Sequence, residues 1–223
     1  MPSFKAIIFD LDGTLCYTFE DILSSMNETL GALEYPLITR GHLLDIINNG
    51  SRNLVRKALP DFAAADGDLF AEAYDLYDAL YALHCADSTV LYDGIADAVA
   101  AIKAGGLKLG VNTNKQDGQS KMLMAKLLPP GTFDFIVGAG DIYPVKPDPA
   151  ASLDMVRRLG VDPSETVYCG DSDVDIDTAL NAGMFPLGVS WGYRPEHVLR
   201  EKGAGFIAGS PAEVAGFALG KVN

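Results

Sequence analysis

The stretch "KAIIFDLDGTL", Lys5 to Leu15, decides the fold. Its first part, Ala6-Ile7-Ile8-Phe9, is an unbroken apolar run, the pattern of a strand covered on both faces as in a parallel sheet. The run ends in Asp10, followed by Leu11, Asp12 and the turn-forming pair Gly13-Thr14. Open α/β sheets bind ligands outside the carboxyl ends of their strands, so Asp10 stands where a ligand is expected. Burying a carboxylate is costly unless it is paired or holds a metal. The rest of the chain must supply that compensation.

Working outward, the residues after Leu91 alternate between helix and strand patterns. "DGIADAVAAIKAGG" reads as a helix ended by Gly105-Gly106. "LKLGVNTNK", "FDFIVGAGD", "TVYCGDS" and "FPLGVSWG" read as strands. Between the second and third of these, Asp148 can cap a helix with Pro149 at its start and Gly160 past its end. Alternating β and α units imply an α/β fold with a doubly wound, Rossmann-like parallel sheet. Residues 16–88 break this alternation. "TFEDILSSMNETLGALEY", "TRGHLLDIINNGSRNLVRKAL" and "DLFAEAYDLYDALYALHC" all carry apolar residues three and four apart. The expected organisation is an α/β core of residues 1–15 and 89–223, with an all-helical domain, 16–88, inserted after the first strand. The stripe Tyr74, Tyr77, Tyr81 reads as helix packing.

Composition narrows the partners. The 223 residues carry a formal net charge of −13, which argues against nucleic acid, since a phosphate backbone wants a basic face. Three scattered cysteines, Cys16, Cys85 and Cys169, fit reduced thiols better than a disulfide framework. Neither a signal peptide nor a run long enough for a membrane span is present, so a soluble cytoplasmic protein with no membrane partner is expected.

Each strand of the α/β part delivers polar residues at its carboxyl end: Asp10 and Asp12, then Thr113 and Asn114, then Lys146 in "PVKPDP", then Asp171, Asp173, Asp175 and Asp177. Neighbouring strand ends lie side by side, so these groups should share one cleft. Converging carboxylates repel one another unless a hard cation sits among them, and Mg2+ takes one or two carboxylates together with substrate phosphate and water. A bound phosphate in turn accounts for Thr113, Asn114 and Lys146, whose hydroxyl, neighbouring backbone N–H groups and ammonium suit its oxygens. The compensation sought for Asp10 is a metal and a lysine.

Taken together and in order, "DLDGTL", "NTNK" with Thr113, "KPDP" with Lys146 and "GDSDVD" with Asp171 and Asp175 resemble the four motifs of the haloacid dehalogenase-like hydrolase superfamily. The helical insertion is similar to that superfamily's cap domain. Within it, "NNGSRNLVRKAL" and the late "WGYR" look most like phosphoglycolate phosphatases. The resemblance implies a Mg2+-dependent phosphatase acting on a small phosphorylated metabolite through an aspartyl-phosphate. Asp10 would be the nucleophile and Asp12 the general acid and base. Magnesium would be bound by the Asp10 carboxylate, the Asp12 carbonyl and Asp171, with Asp175 holding its waters. Thr113, Asn114 and Lys146 would stabilise charge on the phosphoryl group. A pyrophosphatase or phosphomutase on the same fold is the nearest alternative. A metal-independent 2-haloacid dehalogenase needs neither Asp12 nor the acidic "GDSDVD" stretch, and a non-catalytic phosphate-binding module needs no nucleophile and acid pair.

Other residues have plainer readings. Asp173 and Asp177 fit charge placed near a helix N-terminus. His42, His84 and His197 lack ligand partners in sequence, and Cys169 reads as a small apolar strand residue. Arg52, beside the Asn48-Asn49-Gly50-Ser51 stretch of the insertion, has two readings: a bidentate donor to a substrate carboxylate, or a solvated helix residue. Trp191-Gly192-Tyr193-Arg194 has no role assigned by sequence.

Overall fold

The computed structural model describes residues 4–47, 49–140 and 142–221. In chain order the elements are β1 (Ala6–Phe9), β2 (Cys16–Tyr17), α1 (Phe19–Ala32), α2 (Arg40–Ile46), α3 (Ser51–Ala58), α4 (Asp61–Ala65), α5 (Gly67–His84), β3 (Val90–Leu91), α6 (Ile95–Ala104) and β4 (Lys108–Gln116). They continue with α7 (Asp117–Leu127), β5 (Phe135–Ala139), α8 (Ala150–Leu159), β6 (Thr166–Gly170), α9 (Asp173–Asn181), β7 (Phe185–Val189), α10 (Glu196–Lys202), β8 (Phe206–Ala208) and α11 (Pro211–Ala218). Packing divides the chain into two compact units, one running up to Tyr17 and resuming at Leu91, the other Thr18–Val90.

The first unit is built on a six-stranded parallel sheet of order β5-β4-β1-β6-β7-β8. The apolar run of β1 is buried on both faces at its centre, as its composition requires. Ile8 and Tyr168 pack with Met155 and Val156 of α8 and Ala179 of α9 on one face. Phe9 and Cys169 meet Ala98 and Val99 of α6 and Val214 of α11 on the other. Gly160 ends α8 in the left-handed conformation, as the sequence implies; at the start the Asp148 carboxylate accepts the Ala150 N–H, but Pro149 stands at the cap position and the helix begins one residue later than expected. The edge strand β8 lies beyond the strands read from sequence; three residues of "FIA" are too short to carry a period.

Register places the site. Phe9 sits opposite Val111 of β4 and Cys169 of β6. The next residues along the three strands are Asp10, Asn112 and Gly170, followed one step later by Thr113 and Asp171. The chain reverses from β4 to β6 across β1, so this level is the crevice where strand order switches.

The second unit is helical, α1 packing along α5 with α3 and α4 against the same helix. Tyr77 and Tyr81 are buried and their rings stack at 5.6 Å, so the tyrosine stripe is core at these positions. The stretch Thr39–Leu59, helical in its spacing throughout, is broken between α2 and α3. Gly50 adopts φ +78° there, a conformation that favours glycine, while Asn48 lies outside the described residues. Buried Asp21 of α1 accepts from the Ser88 N–H and from the Thr89 N–H and hydroxyl, fixing the segment before β3.

Candidate active site

Asp10 follows β1 directly, and its N–H continues the sheet ladder to the Cys169 carbonyl at 2.9 Å. The side chain is buried, and Oδ1 lies 2.8 Å from Lys146 Nζ. That contact has the distance of an ion pair, yet among the described residues no donor makes a well-directed hydrogen bond to Oδ1. Burial, then the neighbouring Asp175 charge, pushes the Asp10 carboxyl up to about 7; Lys146 pulls it down and Asp12 adds a smaller upward push.

Lys146 ties the cleft together. Its Nζ donates to Asp175 Oδ1 at 2.6 Å as well as approaching Asp10. Burial alone would favour loss of its proton, but Asp10 and Asp175 outweigh it and hold the ammonium well above the ordinary lysine range. Its backbone is gripped by Asn114, whose Oδ1 accepts the Lys146 N–H at 2.8 Å and whose Nδ2 donates to the Lys146 carbonyl at 3.3 Å. The Asn114 amide thus faces the loop that carries Lys146. Thr113, also buried, accepts the Lys115 N–H at 3.3 Å through a hydroxyl that can still donate.

Asp171 and Asp175 come from the end of β6 and the first turn of α9. Asp175 Oδ2 accepts from the Ser172 N–H at 3.0 Å and the Ser172 hydroxyl at 2.6 Å, while Ser172 Oγ accepts the Asp175 N–H. This reciprocal cap holds the carboxylate over the helix start and directs its other oxygen at Lys146. Asp171 accepts from the Thr14 hydroxyl and the Tyr193 N–H. Burial raises its carboxyl well above the ordinary range, the charges of Asp175 and Asp10 raise it further, and those two donors offset part of the rise.

Asp12, two residues after Asp10, keeps some exposure and accepts from Lys115 Nζ at 2.8 Å. Lys115, the last residue of "NTNK", has no role assigned by sequence. Its ammonium is as buried as that of Lys146, and a buried lysine at a strand end requires a carboxylate partner. Of the remaining acids, Asp173 lies in the first turn of α9, whereas Asp177 pairs with Lys202 at 2.7 Å. Arg52 belongs to the helical unit. It is exposed, with its guanidinium 4.6 Å from the Tyr74 ring centre and 5.2 Å from that of Phe70. It is therefore seated on the aromatic face of α5 rather than fully solvated.

Asp10, Asp171 and Asp175 each offer an oxygen within 4.8 Å of the others, all three buried. With Asp12 there are four carboxylates against the two ammonium groups, an excess of negative charge that a divalent cation would cancel. The hard oxygen donors suit such an ion, and so does Asp10 Oδ1, which has the Lys146 ammonium beside it but no well-directed hydrogen bond among the described residues.

Residues 7–189 match the family model described as haloacid dehalogenase-like hydrolase. The chain belongs to that family. Among haloacid dehalogenase-like hydrolases it is 32% identical over 212 residues to a phosphoglycolate phosphatase of Chromobacterium violaceum, covering 94% of each chain. A phosphoglycolate phosphatase of Pseudomonas putida is 31% identical over 192 residues, which is 85% of this chain and 70% of that one. A crystal structure from Lactobacillus delbrueckii subsp. bulgaricus, provisionally named a phosphoglycolate phosphatase, superposes with a TM-score of 0.90 at 28% identity, covering 98% of this chain and 99% of that one. The α/β, Rossmann-like core expected from sequence is the fold of this family. No helix among the described residues is long and apolar enough to cross a membrane.

Proposed function

We propose that this haloacid dehalogenase-like hydrolase is a phosphatase that hydrolyses phosphoglycolate, or a small phosphorylated metabolite closely like it, through an aspartyl-phosphate on Asp10. One observation carries the reading: a buried carboxylate paired with a lysine, set beside two further buried carboxylates, and followed two residues later by Asp12. Names of relatives about 30% identical across most of the chain support the substrate class.

In the first step an Asp10 oxygen attacks phosphorus in line and forms an O–P bond as the ester O–P bond breaks. Asp12 gives its proton to the departing alkoxide. In the second, Asp12 takes a proton from water, whose oxygen attacks phosphorus and releases inorganic phosphate and the Asp10 carboxylate. Lys146 and Thr113 offset charge on the phosphoryl oxygens. Asn114 acts by fixing the Lys146 backbone. Mg2+, held by Asp10, Asp171 and the Asp12 carbonyl with Asp175 beside its waters, would supply charge neutralisation and Lewis-acid polarisation. The Lys115 ammonium beside Asp12 keeps that carboxyl placed between turnovers. The helical unit serves as the cap that selects the leaving group, with Arg52 as its candidate donor to a substrate carboxylate.

A phosphate-release screen over phosphorylated metabolites, run with and without Mg2+, tests this reading. Phosphoglycolate should rank first and chelation should abolish turnover. Full activity after verified metal removal, or no release from any phosphomonoester, would sink it.

A further inference from the structure

The Asp171 side chain is closely confined, and the confinement comes from two distant parts of the chain. It is fully buried. Its Oδ1 accepts from the Thr14 hydroxyl at 3.1 Å and its Oδ2 from the Tyr193 N–H at 2.8 Å. Trp191 in turn donates its indole Nε1–H to the Thr14 carbonyl at 3.1 Å, tying the two donors' segments to each other. A glycine abuts the carboxylate from each segment. A Cβ at Gly13, where φ is +82°, would stand 2.4 Å from Asp171 Oδ2, and a Cβ at Gly192 would stand 2.1 Å from the Asp171 Cβ. Neither position accepts a side chain without displacing Asp171.

We propose that the Trp191–Tyr193 loop, together with Gly13 and Thr14, is a positioning device that sets the cation affinity of Asp171. Each carboxylate oxygen spends one acceptor direction on a fixed donor, and the two glycine backbones restrict rotation of the group. The remaining acceptor capacity is held within the cluster shared with Asp10 and Asp175. Partners that orient a ligating carboxylate govern affinity through its pre-alignment, and their loss typically weakens binding by about 10- to 100-fold. This gives the "WGYR" stretch a role at the site. It rests on the reading of Asp171 as a cation ligand.

Binding of Mn2+ alone to the full chain, read from the loss of the free-ion electron paramagnetic resonance signal without substrate, separates the two ideas. Asp171→Asn should abolish tight binding. Gly192→Ala and Thr14→Val should each weaken it by about 10- to 100-fold, with Thr14→Ser staying close to the wild type because it keeps the donor. Gly110→Ala is the control for general strain, since its Cβ would press on Met155 Sδ in the core, away from the carboxylates. Melting curves establish that each variant folds. A wild type that binds no Mn2+, or undiminished binding in Asp171→Asn, overturns the cation reading and this inference with it. Binding unchanged in folded Gly192→Ala and Thr14→Val, or weakened equally in Gly110→Ala, overturns the positioning role alone.

Discussion

The two units of this chain use charge in opposite ways. In the α/β unit, four carboxylates and two ammonium groups are drawn together at the strand ends, mostly buried, and both ammonium groups pair with carboxylates. In the helical unit the candidate recognition group, Arg52, lies exposed on the rings of Tyr74 and Phe70. Buried, mutually dependent charges are costly to disturb, whereas exposed ones are worth little to stability and can change with modest penalty. The difference suits a division of labour in which the sheet fixes the reaction and the helices adjust the substrate.

On that division, the largest effect belongs to Asp10. Asp10→Asn has nearly the same volume and removes the proposed nucleophile, so turnover should fall by several orders of magnitude while the fold persists. Acid quenching of the wild type during turnover should trap phosphate on Asp10. A folded Asp10→Asn protein hydrolysing at near-normal rate would break the comparison at its strongest point.

Next comes the Asp12–Lys115 pair. Asp12→Ala should cost about 10²- to 10⁴-fold in the first step on an alkyl phosphate, and much less on a nitrophenyl phosphate whose leaving group needs no proton. Lys115→Met should follow the same leaving-group pattern with a smaller loss, because it disturbs Asp12 without removing it. Burst kinetics isolates the first step. Equal losses on both substrates would mean that the pair supports the fold rather than proton transfer.

Asp10 and the Asp12–Lys115 pair mark how far the sequence can be read. Asp10 and Asp171 are legible because each follows a strand pattern, Asp12 because it lies two residues beyond Asp10, and Lys146 because it precedes a proline in a motif of fixed order. Lys115 carries no such signal, since its burial depends on which strand lies beside β4. From sequence Asn114 is a candidate for phosphate; an amide serves backbone and ligand equally well, and the packed loop adds that it holds the Lys146 backbone. Trp191 meets Thr14 across almost the whole chain, a contact no local pattern encodes. The break at Gly50 was hidden because apolar spacing of three and four continues on both sides of it.

The third effect concerns stability and pH. With no cation bound, folding raises the Asp10 carboxyl from 3.8 to about 7. The folded state therefore holds a proton that the unfolded chain has released. That contribution is fully present below about pH 4 and is lost as pH rises through about 7, a swing on the order of 4 kcal/mol for this group alone. Asp171 shifts in the same direction. The stability difference between metal-free wild type and Asp10→Asn should therefore move against the wild type over this range, measured by denaturant unfolding at each pH. Added Mg2+ should shrink the change, because a cation favours the ionised carboxylate. A pH-independent difference would show that Lys146 keeps Asp10 ionised throughout.

The smallest effect is assigned to Arg52, and it tests the helical half of the comparison. Its seat on Tyr74 and Phe70 restricts the guanidinium without consuming its donors, as a group awaiting a carboxylate requires. Loss of a charge-assisted hydrogen bond costs roughly 1.5–3 kcal/mol, so Arg52→Ala should lower kcat/KM on a carboxylated phosphate ester by about 10- to 100-fold. An ester of similar size without a carboxylate should change far less. Unfolding free energy should drop by only about 0.5–1 kcal/mol, the worth of an exposed cation–π contact. Arg52→Lys separates the remaining readings, since an ammonium keeps the charge but loses the planar fork and the stacking. If it restores the carboxylated substrate only in part, bidentate recognition holds. If Ala and Lys depress both substrates alike, Arg52 secures α3 against α5, and selectivity must come from another residue of the helical unit.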